Sequence, residues 1–72
     1  MTLGEVELLK RRSENLYNSL FLKRLWQERK YFPGANVEEA EYQIAQYNKM
    51  IAEQEEKLLD LIIKYATRYK EG

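Results

Sequence analysis

The chain has 72 residues with 12 Lys or Arg, 12 Asp or Glu, no His and no Cys, so its formal net charge is zero. These absences exclude disulfide staples, thiolate or imidazole metal sites, Ser-His and Cys-His nucleophiles and a histidine pH switch. The length allows one small domain, and below about 70 to 80 residues a lone core supplies only about 3 to 5 kcal/mol, so a partner is expected to add stability.

Thr2 followed by Glu5 is a capping box, in which the threonine hydroxyl accepts from a free amide of the first turn and the glutamate reaches back. It predicts a first helix over residues 3 to 31. Val6, Leu9, Leu16, Tyr17 and Leu20 form its main apolar stripe, with Ser13 in the place of another aliphatic. Ser13, Asn15, Asn18 and Ser19 are mediocre helix formers whose short polar side chains compete for backbone hydrogen bonds, which leaves open whether the helix kinks or frays there. From Leu16 to Trp26 the apolar residues leave that face: Phe21 and Leu25 lie a third of a turn or more round, and Leu22 and Trp26 sit on the far side with Leu8. One partner helix cannot cover all three directions, and exposed apolar patches of this kind mark interaction sites. Leu8, Phe21, Leu22, Leu25 and Trp26 are therefore the candidate interface of this helix, set against the plain alternative of scattered apolar residues tolerated at a surface.

Tyr31-Phe32-Pro33-Gly34-Ala35 breaks the helix. Proline lacks an amide hydrogen and pushes Phe32 out of the helical region, while Gly34 can take backbone angles closed to other residues. The turn is predicted over 32 to 36. Asn36 with Glu39 is a second capping signal, and Glu38, Glu39 and Glu41 suit the positive end of a helix dipole. The second helix is predicted over 37 to 70, with Lys64, Arg68 and Lys70 at its negative pole and Gly72 closing the chain.

Val37, Ile44, Ile51, Leu58 and Tyr65 recur at intervals of seven, and Ala40, Tyr47, Gln54, Leu61 and Arg68 fall at d when these are a. This seam faces a partner helix. A short loop between two long helices makes them antiparallel neighbours, so the predicted fold is an all-α helical hairpin, coiled-coil-like, forming one domain over residues 1 to 72. Folding back at the turn sets residue i level with about residue 69 minus i. Residues 1 to 34 hold seven Lys or Arg against four Glu, and residues 35 to 72 hold five against eight acids, giving +3 and −3. The fold-back therefore sets Arg29 and Lys30 beside Glu38, Glu39 and Glu41, and Lys10, Arg11 and Arg12 beside Glu55, Glu56 and Asp60, pairings that select orientation more than they stabilise. Gln54 comes level with Asn15 in either a buried polar layer that fixes register or a position leaning into solvent.

Ala45, Ala52, Leu59 and Ala66 widen the apolar face of the second helix, and Ile62 and Ile63 add to it. Ala45, Ala52, Leu59, Ile62 and Ile63 join the candidate interface. Both helices thus call for further helices, and self-association into a four-helix bundle is the expectation. Catalytic, cofactor-binding and metal-binding residues are not expected: Glu53, Glu55 and Glu56 point apart on a solvated face, and Tyr17, Tyr47 and Tyr65 read as packing. Lys10, Arg11, Arg12, Lys23, Arg24, Arg29 and Lys30 are the candidate phosphate contacts of the competing class, a nucleic-acid binder in which Trp26 or Tyr31 would stack on a base. Leu20 to Trp26 lying on a membrane surface is a weaker expectation, since its apolar residues are spread round the helix.

The longest apolar run is Leu20 to Leu22, against about 20 residues needed to span a bilayer, and no basic-then-apolar signal segment is read at the N-terminus. Cytoplasm is the default expectation. Glu41-Tyr42-Gln43 after the turn, with the tyrosine-rich end at Tyr65 and Tyr69, resembles the small helical-hairpin co-chaperones of type III secretion needle subunits over residues 36 to 69. That resemblance implies binding to a larger helical chaperone and shielding of a secretion subunit. More generally, the sequence points to a non-enzymatic protein-protein interaction module, a small adaptor, regulator or co-chaperone, whose partner is itself, as a dimer, or another helical protein, with no small-molecule substrate.

Overall fold

The computed structural model describes residues 1 to 71, with side chains through Tyr69, so the expected roles of Gly72 and of the Lys70 side chain lie outside the described residues. It consists of two α-helices, α1 (Leu3–Arg29) and α2 (Val37–Glu71), packed side by side as an antiparallel hairpin of 57 × 18 × 13 Å. Among the described residues there is no strand.

Each boundary has a local cause. The Thr2 hydroxyl accepts from the Glu5 amide at 3.2 Å while the Glu5 carboxylate accepts from the Thr2 amide at 3.3 Å, which completes the capping box. Two residues before the expected Tyr31, α1 ends at Arg29, because Tyr31 and Phe32 turn their amides back to the Glu28 and Arg29 carbonyls in tightened bonds. Gly34 then takes φ +77°, in the left-handed region. Asn36 Oδ1 accepts from the Glu39 amide at 3.1 Å and opens α2.

α1 runs unbroken through Ser13 to Ser19. Ser13 directs its hydroxyl to the Leu9 carbonyl at 2.8 Å, so its side chain decorates the helix instead of diverting the backbone.

The heptad of α2 is its packing seam. Ala40, Ile51 and Tyr65 are buried, and Ile44, Tyr47, Gln54, Leu58 and Leu61 are half-buried. The seam of α1 differs from the expected stripe. Its shielded residues are Glu5, Leu9, Arg12, Leu16, Ser19, Lys23, Trp26 and Lys30, alternately four and three apart, with Ser19 only 5% exposed. Val6, Tyr17 and Leu20, expected on the seam, are exposed. The physical reason is that α1 turns Glu5 and Lys30, which pair with Arg68 and Glu41 of α2, inward together with Leu9 and Leu16, and leaves Val6, Tyr17 and Leu20 outside. Register is set by the ion pairs Lys30–Glu41 and Glu5–Arg68 and by the hollow that Asn15 shares with Gln54, with level residues summing to about 70.

Candidate interaction face

Helix winding decides which side of the hairpin each residue occupies. When two right-handed helices run antiparallel, positions flanking the seam on the same heptad letter fall on the same side of the pair. The grooves confirm this assignment. Arg12, Asn15, Gln54 and Lys57, at d and g of their helices, line one hollow, whereas Gln27, Lys30 and Ile44, at e and a, line another.

On the e and b side, α1 presents Leu3, Val6, Tyr17 and Leu20, and α2 presents Ala45, Ala52, Leu59, Ile62, Ala66 and Tyr69. All are exposed, including Leu3 at 78%, Tyr17 at 68% and Leu59 at 56%. These residues form an apolar face that α1 and α2 share, interrupted by Lys10, Ser13, Arg24 and Gln27 on α1 and by Glu38, Glu41, Asn48 and Glu55 on α2. The opposite side carries Leu22 and Met50 among Arg11, Asn18, Lys57, Lys64 and Glu53, and is largely polar.

The residues singled out from sequence divide accordingly. Ala45, Ala52, Leu59 and Ile62 come together on the apolar face. Phe21 and Ile63 are exposed on the outer edges of their helices, Leu22 lies on the polar side, and Leu8 and Leu25 are half-buried. Trp26, expected to face away from the intramolecular seam, is instead on it: half-buried, it shares the hollow beneath the turn with Phe32, Asn36 and Ala40. The Arg29 guanidinium stands 5.0 Å from its ring centre. Val6, Tyr17 and Leu20 are the face residues that sequence reasoning had placed in the core. Pairing Glu5 with Arg68 and Lys30 with Glu41 across the fold-back, ahead of pairing the aliphatic residues, would have set the phase of α1 correctly.

The seven basic candidates do not converge. Arg12, Lys23 and Lys30 are half-buried on the seam, Lys10 and Arg24 lie on the apolar side, and Arg11 and Arg29 lie on the other. Several are engaged within the chain: Lys30 pairs with Glu41 at 3.1 Å and Arg24 with Glu28 at 3.6 Å. Of the expected ion-pair zones, the one at the turn is thus represented by Lys30 and Glu41. At the other end Arg12 shares a groove with Asp60 without an ion pair.

The open end of the hairpin is closed by a polar clasp. Glu5, its side chain 15% exposed, pairs through Oε2 with Arg68 and accepts at Oε1 from the Tyr69 hydroxyl at 3.2 Å. The Arg68 guanidinium also lies 5.0 Å from the Tyr69 ring centre and 5.5 Å from that of Tyr65. One carboxylate therefore caps α1 and ties it to the last turns of α2.

Compared with family models, curated proteins and solved structures, the chain matches none. No described helix is long and apolar enough to cross a membrane. Among the described residues no cluster of three or more acidic side chains is arranged to hold a metal ion.

Proposed function

We propose that the chain is a non-enzymatic protein-protein interaction module, a small adaptor, regulator or co-chaperone, that acts through apolar helix faces and associates with itself. The observation that carries this reading is the exposure of Leu3, Val6, Tyr17, Leu20, Leu59 and Ile62 on one side of the hairpin. An isolated hairpin would leave that face in water, and contiguous apolar surface of several hundred Å² marks a protein contact. The small buried set of Ala40, Ile51 and Tyr65 supports the same conclusion, because so slight a core gains stability from a partner. A cytoplasmic location is the default that accompanies this proposal. Nucleic-acid binding has less support, since its seven basic candidates are divided among the seam and both sides of the hairpin.

A photoreactive benzoylphenylalanine placed at Leu59, on the apolar face, tests the reading in the cell that makes the protein. The same residue placed at Glu53, on the polar side, is the control. Illumination should give covalent adducts with protein, its own copies or others, from position 59 and few from position 53. Absence of protein adducts at position 59 would overturn the proposal.

A further inference from the structure

We infer that the occupant of the apolar face is a second copy of this chain, related by a two-fold axis parallel to the helices. In this arrangement α1 of each copy lies over α2 of its partner, and both turns are at the same end of a four-helix bundle. The inference rests on the reading of the chain as an interaction module and specifies which protein covers the face and in what orientation.

Area supports a second copy. A compact chain of 8.7 kDa exposes about 4,700 Å² by the usual size scaling, whereas this one exposes 5828 Å². The excess is on the order of 1,100 Å² per chain, comparable to the roughly 800 Å² that each partner contributes to a standard stable interface. The broad side of the hairpin, 57 × 18 Å, is large enough to supply it. Covering this face with one more hairpin would give four helices around one core.

Charge and shape select the orientation. On this face the charged side chains of α1 are basic, Lys10 and Arg24, whereas those of α2 are acidic, Glu38, Glu41 and Glu55. A two-fold axis along the helices sets α1, whose charges on this face are basic, over the partner's α2, whose charges there are acidic. The complementarity is between whole helices, since Lys10 stands level with Ile62 and Arg24 with Asn48, and Glu41 already pairs with Lys30 of its own chain. An axis across the helices would set Lys10 and Arg24 over the same residues of the other copy, and like charges disfavour that mode.

Levels along the hairpin agree. With level residues summing to about 70, large residues on α1 stand level with small ones on α2: Val6 with Ala66, and Tyr17 and Leu20 with Ala52. In the reverse sense, Leu59 on α2 stands level with Ser13 on α1. A longitudinal two-fold preserves levels, so Val6, Tyr17, Leu20 and Leu59 each meet a small side chain across the interface, as knobs-into-holes packing favours, while Leu3 stands level with Tyr69 and Ile62 with Lys10. It also superposes the more apolar open ends of both copies. The transverse axis would set Leu3 and Val6 of one copy against the charged turn end of the other.

The chain has no cysteine, so one introduced thiol provides a unique label. Tyr31, at the turn end and 81% exposed, is a suitable place for it. The test is to spin-label Tyr31→Cys, confirm unchanged helix content by circular dichroism, and measure the distance between labels by pulsed electron paramagnetic resonance at several concentrations. Turns at the same end put the labels within roughly 30 Å, given two stacked hairpins each 18 × 13 Å across with helices about 10 Å apart. A distance approaching the 57 Å length of the hairpin would overturn the orientation. A monomer without label coupling at any concentration would overturn the second copy itself. In that case adducts of other proteins at position 59 would show that the interaction reading survives, whereas none there would mean that both have failed.

Discussion

Replacing Gln54 with leucine should stabilise the hairpin. Gln54 occupies a d position of the α2 seam, and its Oε1 atom is buried with no hydrogen-bond partner. The Nε of Arg12, across the seam, is also buried and unpartnered, and the two residues line one hollow of about 150 Å³ with Asn15 and Lys57. A buried polar group without a partner costs about 1 to 3 kcal/mol, and a leucine of similar volume removes that cost without a large cavity or overpacking. The gain is a large fraction of the roughly 3 to 5 kcal/mol that a core of this size supplies. At about 4 to 8 °C per kcal/mol for a small domain, Gln54→Leu should raise Tm by at least about 4 °C. Far-UV circular dichroism melts at matched chain concentration give the measurement, since association makes Tm depend on concentration. Loss of the polar layer should also broaden the range of oligomers, because a buried amide restricts register. An unchanged or lowered Tm would refute the reasoning and mean that water in the hollow satisfies both Gln54 and Arg12.

Three further outcomes follow from the geometry. Leu20→Glu or Ile62→Glu should weaken self-association at least about tenfold while leaving helix content intact, because each puts a charge into the apolar face; unchanged sedimentation would remove that face from the contact. Glu5→Ala should cost about 1 to 2 kcal/mol and speed hydrogen exchange both in the first turn of α1 and around Tyr65 to Tyr69. Acceleration confined to the first turn would show that the clasp to Arg68 and Tyr69 contributes nothing. Trp26→Ala should destabilise the hairpin by about 2 kcal/mol, less than for a fully buried tryptophan, and native Trp26 emission should change little on dilution. A large red shift on dilution with helix content preserved would return Trp26 to the intermolecular contact.

Much of the fold was legible in the sequence, for reasons that differ between the helices. Both N-terminal caps were readable from a side chain and its partner three residues on, and the turn from Pro33 and Gly34. The seam of α2 was readable because aliphatic or aromatic residues fill every a position from Val37 to Tyr65. That helix also yielded its half of the candidate face, Ala45, Ala52, Leu59 and Ile62. The phase of α1 was not readable by the same rule. Its seam passes through Glu5, Arg12, Ser19 and Lys23, polar residues with no local signal of burial; Glu5 pairs with Arg68, 63 positions away, and Arg12 shares a hollow with Gln54, 42 positions away. Averaging the direction of its apolar side chains rotates the helix by about 50 to 60°, enough to exchange Val6, Tyr17 and Leu20 with the true seam. The same error moved Trp26 outside. Local periodicity thus identifies a helix face only where burial and apolarity coincide, and in α1 they do not.

Sedimentation equilibrium of the unaltered chain over a wide concentration range tests the central claim most directly. Covering the apolar face with a second hairpin predicts a native mass that rises to twice 8.7 kDa and remains there. A mass of 8.7 kDa at every concentration, with helix content and a cooperative melt preserved, would contradict it.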